Sequence, residues 1–485
     1  MRPRWPAAVV ASICASSAAC AAPATSDGAK AIEQAYVEYF SKAVVDKGIV
    51  SVAPSGEDYL VTWDLQKALE LADPSQGALR IDRFAYRLTP NSDGGWTIKA
   101  DRLPSVTFDG PTDKGQVNAA LDLSGFTFEA AYAAARPDFL RSVASAEALE
   151  AEARTVDPAQ RVDVDLVESG VSVETRAKTS DSGAGVDVAI AQSTKRLTET
   201  VHSTPSADES ASPITFGYEA AGMAGGLAIA GLRAREIGDL WKYVVAHFDD
   251  DDAPDLKQHV RAALPFWNDF RADAEIDDLE LKTPVVEARL KTLGEKLGLT
   301  GFTEEGSAEF GVRLEDLAFK SALLPSWAQT LSPVSLNLDL RVADKGLDTA
   351  AQIALDDPEF GEKGALSTET QNKIDQVLLG GEPRLVLAPG RLTTPVIDLA
   401  FQGDAELDGG APRGHLTVSA DSLDKTIALL QEVAKDEPDA QSIALGMAFV
   451  KGLATTGADG RLVWKIDATP SGDVLVNGTL LPMGK

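Results

Sequence analysis

The chain has 485 residues, 44% apolar and 25% charged, which is the balance of a soluble globular protein of two or three lobes. Its net charge of −29 at pH 7 argues against a nucleic-acid partner, whose phosphates call for Lys and Arg, and against electrostatic capture by an anionic membrane face. The acids are spread along the chain and read as a solvated, self-repelling surface.

MRPRWPAAVVASICASSAACAAPATSDG opens with two arginines, a short apolar run and Ala-rich sites, the pattern of an export signal over residues 1–24. Residues 7–19 are too few for a permanent membrane span. Cleavage after Ala24 fits the small residues Ala22 and Ala24. The alternative is a lipoprotein, with Ser17-Ala18-Ala19-Cys20 as its lipobox and Cys20 as the lipid carrier. Both cysteines, Cys14 and Cys20, lie in this segment. The exported chain then has no disulfide, no cysteine zinc site and no cysteine nucleophile.

Ser26 or Asp27 is positioned to cap a helix carrying Ile32, Tyr36, Tyr39, Phe40 and Val44, which Gly48 stops. Strands follow in GIVSVA, DYLVTWD, LRIDRFAYRL, WTIKADRLP and VNAALDL, with NSDGG at 91–95 as a hairpin turn. SVASAEALEAEA, 142–153, reads as a helix ended by Asp157-Pro158. This first lobe runs over 27–158.

A second lobe, 160–272, opens with RVDVDLVESGVSVETRA, continues through GVDVAIAQ and STKRLTETVH, and has a loop at 203–213. Ile237, Leu240, Trp241, Val244, Val245 and Phe248 form the stripe of an amphipathic helix.

In the third lobe, 274–485, VSLNLDLRV at 334–342 alternates strictly, so one face of that strand is dry and the other wet. PRLVLAP, PVIDLAFQGDAEL, GHLTVSA and the closing RLVWKIDATPSGDVLVNGTLLPM continue the strands. At 59–72, 338–356 and 415–434 a strand runs into a polar corner and then a short helix, which is expected to fold back over the dry side. The expected fold is α+β, with mostly antiparallel, extended curved β-sheets backed by short amphipathic helices.

Motifs for chemistry are few. Asp249, Asp250, Asp251, Asp252 and Asp255 suggest calcium, but Pro254 and Val260 stand where an EF-hand needs Gly and Glu. A helix start capped by Asp252, with Pro254 in its first turn, is the plainer reading, and a calcium-stabilised interaction module is an alternative. Ser422 and Lys425 match the Ser-x-x-Lys spacing of a serine hydrolase, the other alternative, although Ser422 also stands at a helix cap position. HExxH, GxSxG and a Walker loop are absent, and His202, His247, His259 and His415 receive no ligand role. The tryptophans outside the leader read as core, and Asn477-Gly478-Thr479 as a turn. No catalytic, metal-binding or cofactor-binding residue is assigned.

GEDYLVTWDL at 56–65, FGVRLEDLAF at 310–319 and GRLVWKIDATPSGDVLVNG at 460–478 resemble stretches of the YdgA-like and AsmA-like bacterial envelope proteins. The resemblance implies an extended sheet with an apolar trough and a part in lipid traffic or envelope assembly, and it carries over no functional residue. The expected protein is therefore an exported, non-catalytic envelope protein, periplasmic or lipid-anchored. It would have a binding or scaffold role, and its candidate ligand is apolar, such as a lipid chain.

Overall fold

The computed structural model describes residues 24–72, 78–92, 94–112, 115–133, 139–205, 213–247, 255–360, 366–380, 383–406, 413–435 and 437–481. The leader with Cys14 and Cys20, residues 206–212 of the expected loop and Asp249 to Pro254 lie outside them. The fold is α+β and rich in antiparallel strands, divided into two compact units, Met1–Asn268 and Asp269–Lys485.

The first unit begins with α1 (Ser26–Phe40) and α2 (Ala43–Asp46). The cap of α1 is Thr25, one residue before the expected Ser26, because its hydroxyl accepts the Gly28 amide at 3.0 Å. Ile32, Tyr36 and Tyr39 are buried on one face. Strands β1 (Val50–Ser55), β2 (Asp58–Trp63), β4 (Phe84–Pro90), β5 (Trp96–Ala100) and β8 (Thr127–Tyr132) pair in that order and pack Val61, Leu88, Ile98 and Tyr132 against α1. Asn91 and Gly95 close the β4–β5 turn. Helix α3 (Leu65–Ala72) follows β2 and lays Leu65 and Ala68 on this core.

The spine of the unit is a hairpin of two long strands, β9 (Phe139–Val156) and β10 (Gln160–Thr179). The sequence 142–153, expected as a helix, is thus the middle of β9. Ala and Glu favour helices, but their alternation here satisfies a strand paired on both sides. Leu149, Ala151 and Ala153 are half-buried, whereas Glu150, Glu152 and Arg154 are exposed. Asp157 turns the hairpin by accepting the amides of Ala159 and Gln160 at 2.6 and 2.7 Å.

The hairpin carries two sheets side by side. One half of β9 pairs with β8 and the other with β7 (Gly115–Ser124), which leads through β6 (Val106–Thr112) to β3 (Leu79–Ile81). On the far side, β10 pairs first with β12 (Arg196–Pro205) and then with β11 (Val186–Thr194). These continue to β13 (Ile214–Ala220) and β14 (Gly222–Leu232). Gly170, at φ 63°, marks the junction: apolar residues fall on Val162, Val164 and Leu166 before it and on Val171 and Val173 after it. Helices α4 (Ala234–Ala246) and α5 (Leu256–Ala263) close the unit. Trp241 Nε1 donates to Tyr39 O at 3.0 Å, and Lys242 lies 4.6 Å over the Tyr39 ring, which fastens α4 to α1.

The second unit repeats the long-hairpin theme with β15 (Asp269–Lys282) and β16 (Val286–Thr300). Here Asp278, at φ 49°, marks the change of phase. Strand β16 pairs with β17 (Glu305–Glu315) and, beyond Asp316, with β18 (Ala318–Ser321). The sheet then runs through β19 (Ser335–Lys345), β20 (Arg384–Thr393), β21 (Asp398–Glu406), β22 (Arg413–Asp421), β24 (Leu462–Ala468), β25 (Val474–Val476) and β26 (Thr479–Leu481), all antiparallel. The two-residue β23 (Thr455–Thr456) adds to β24. Asn477 and Gly478, at φ 49° and 79°, make the expected turn between β25 and β26.

Helices α6 (Ser326–Thr330), α7 (Leu347–Asp356), α8 (Thr368–Gly380), α9 (Leu423–Val433) and α10 (Pro438–Gly452) are inserted between strands. Each expected strand–corner–helix is present, as β2–α3, β19–α7 and β22–α9. Helix α9 covers its sheet, burying Leu423 and Ile427 against Ala420, Trp464 and Val476.

Candidate functional site

The register of the second unit places apolar residues in rows across its sheet. Leu297, Phe310, Leu340 and Leu387 face one another across β16, β17, β19 and β20. Leu293, Leu314, Leu336 and Leu392 form a second row, and Leu299, Ala308, Val342 and Leu385 a third. On β15 the same face carries Phe270, Ala272, Ala274 and Ile276. Glu295, between Ala274 and Val312, is the one charged side chain of this face on β16 from Leu293 to Leu299.

None of these residues is fully buried. Phe310 is 46% exposed, Leu297 41% and Val342 40%. The contrast lies at the other end of the sheet, where α9 reduces Ala420 and Trp464 to core. Leu347 of α7 packs at Gly306, on the margin of the same face, and α8 lies against β19, with Val377 beside Gly346. Contiguous apolar surface of this kind costs free energy in water and marks sites for apolar ligands or partners.

The opposite face is an ion-pair ladder. Lys296 Nζ lies 2.7 Å from Asp339 Oδ1, and Arg313 pairs with Glu275. In both cases the partners sit two strands apart, and the strand between presents a glycine, Gly311 or Gly294. Without a Cβ in the way, a long side chain reaches across. Arg391 and Arg461 share Asp398 at 2.7 and 3.1 Å, and its carboxyl is held down to about 2, chiefly by the Arg391 hydrogen bond. The two faces therefore differ sharply: one is zipped with charge and the other, Glu295 apart, is hydrocarbon across its central rows.

The first unit has a related face on β6, β7, β9, β10, β12 and β13, including Phe108, Leu121, Ala151, Leu166 and Val201. It is interrupted by polar groups. Glu199 faces Tyr218, whose hydroxyl is pushed up to about 12 by burial and by the neighbouring carboxylate, and Glu168 accepts from Thr194 at 3.3 Å. The second unit's face is the cleaner apolar surface.

The residues singled out from motifs are dispersed. Ser422 stands at the N-cap of α9 but in a left-handed conformation (φ 62°), and its side chain makes no capping bond. Lys425 is exposed, and no hydrogen bond among the described residues joins its side chain to Ser422. Asp255 precedes α5 without capping it by its side chain. His247 and His259 stack on Tyr243, with ring centroids 4.1 and 4.4 Å away, and His415 pairs with Asp467. Among the described residues no three His, Cys, Asp or Glu side chains converge on a metal site. Trp63, Trp96 and Trp464 are core, whereas Trp241 is half exposed.

Sequence reasoning named the β19 rib and, in PRLVLAP, its neighbour β20 as strands, but not β16. In EARLKTLGEKLGLT the leucines at 290, 293 and 297 mimic a helical period, because the alternation changes phase near Asp278 and Lys291. No protein-family model, curated protein or solved structure matches this chain.

Proposed function

We propose that this chain is an exported, non-catalytic envelope protein that holds an apolar ligand, a lipid acyl chain, on the second unit's sheet. One observation carries the reading: leucine and phenylalanine rows span β16 to β20, and Leu297, Phe310 and Val342 within them stay 40–46% exposed. A hydrocarbon chain needs no hydrogen-bonding partner, so a surface nearly free of polar groups suits it better than it suits a polar metabolite. The Ala-rich leader and the AsmA-like stretches support an envelope setting and a part in lipid traffic.

The test is direct. Purified protein should carry lipid detectable by mass spectrometry, and delipidated protein should take up a fluorescent fatty acid. Phe310→Asp, in the middle row, should weaken that uptake about tenfold or more, because a carboxylate beside the chain must be desolvated. No bound lipid together with no uptake would overturn the proposal.

A further inference from the structure

The stretch 443–450 of helix α10 is apolar on all sides yet covered on one. Ile443 to Val450 is an unbroken run of eight uncharged residues. Ala440 and Ala444 pack inward against Leu430 of α9. Outward, Leu445 is 65% exposed, Phe449 64%, Val450 46% and Ile443 40%. A helix greasy all round belongs in a core or in lipid, and half of this one is in neither. It is also tied to the sheet that carries the apolar rows: Trp464 Nε1, on the dry face of β24, donates to Val450 O at 2.7 Å.

We propose that α10 is the element through which the second unit seats on a zwitterionic lipid surface, bringing the apolar sheet face to the membrane from which its chain is drawn. The inference rests on the acyl-chain reading above. The occupant follows from charge and area. At −29 the molecule is repelled by anionic surfaces, and two copies repel each other. The four outward side chains offer roughly 400 Å², taking on the order of 200 Å² for a whole large side chain. That is about half of what each partner buries in a stable protein interface. It suits shallow insertion among headgroups, which needs apolar side chains and no matching surface. At fifteen residues α10 does not span a bilayer, and no described helix does.

Flotation with phosphatidylcholine vesicles, paired with fatty-acid uptake from solution, tests this. The wild type should float with the vesicles, and added salt should not release it. Leu445→Asp/Phe449→Asp, at two exposed positions, should cut the floating fraction at least several-fold while keeping its circular dichroism and its uptake. Phe310→Asp should do the reverse, floating but failing to take up the chain. A wild type that stays at the bottom of the gradient, or an α10 variant that still floats, overturns the proposal. So does a wild-type dimer that the α10 variant dissolves, which would assign the face to a second copy. Flotation without uptake would sink the cargo reading alone.

Discussion

Lys296 reaches Asp339 across Gly311, spanning from β16 to β19 over the strand between them. The glycine is what makes the bridge. A side chain at 311 would meet the Asp339 carboxylate and the Lys296 stem. Gly311→Leu is expected to cost about 1–2 kcal/mol in urea unfolding, by overpacking. Asp339→Asn, which removes only a half-exposed ion pair, should cost less than about 1 kcal/mol. Equal losses would mean that the pair, and not the space, sets the energy.

Asp357, between α7 and α8, is a buried carboxylate. It accepts Ser367 Oγ at 2.6 Å, the Ser367 amide at 3.0 Å and the Glu359 amide at 2.7 Å. The Ser367 hydroxyl first, then Thr370, holds its carboxyl well below the usual range. A depressed folded pKa stabilises above the unfolded value of about 4 and loses that stabilisation as pH falls below it. Asp357→Asn should therefore melt lower than wild type at neutral pH, with the gap narrowing in acid. A gap that does not change with pH would show that the charge is immaterial.

His415 has the opposite sign. Its ring lies 2.6 Å from Asp467 Oδ1, and that hydrogen bond raises its pKa. The contribution is complete below about 6.5 and disappears as pH rises through the folded value. An NMR titration should show His415 titrating above an ordinary histidine, and Asp467→Asn should bring it down.

Trp464→Phe removes the bond to Val450 O and leaves the ring's packing in place. The expected loss is about 1 kcal/mol, with faster amide exchange in the last turn of α10. Unchanged exchange there would show that α10 is held by its contacts with α9 alone.

The segment 142–153 shows why part of the fold was illegible. Its Ala and Glu content states a helical preference, and only pairing with β7, β8 and β10 from distant sequence overrules it. Glu152→Thr, on the exposed side, separates the two: it should stabilise the strand by up to about 1 kcal/mol, whereas a helix would lose a few tenths. Strict alternation in 334–342 and the β–corner–α pattern at three places were legible because each is a local period. The apolar rows were not, since a row is built from one residue on each of four strands. The left-handed residues Gly170 and Asp278 further scramble the count within a strand.

From β19 to β26 each long strand pairs with the next long strand in the chain, with only short helices inserted. Every new rib thus finds its template already laid by the residues just before it. Few distant loop closures are required, so assembly can advance from one end like a fence built post by post. Truncations from the C-terminus should shorten such a structure before they abolish it.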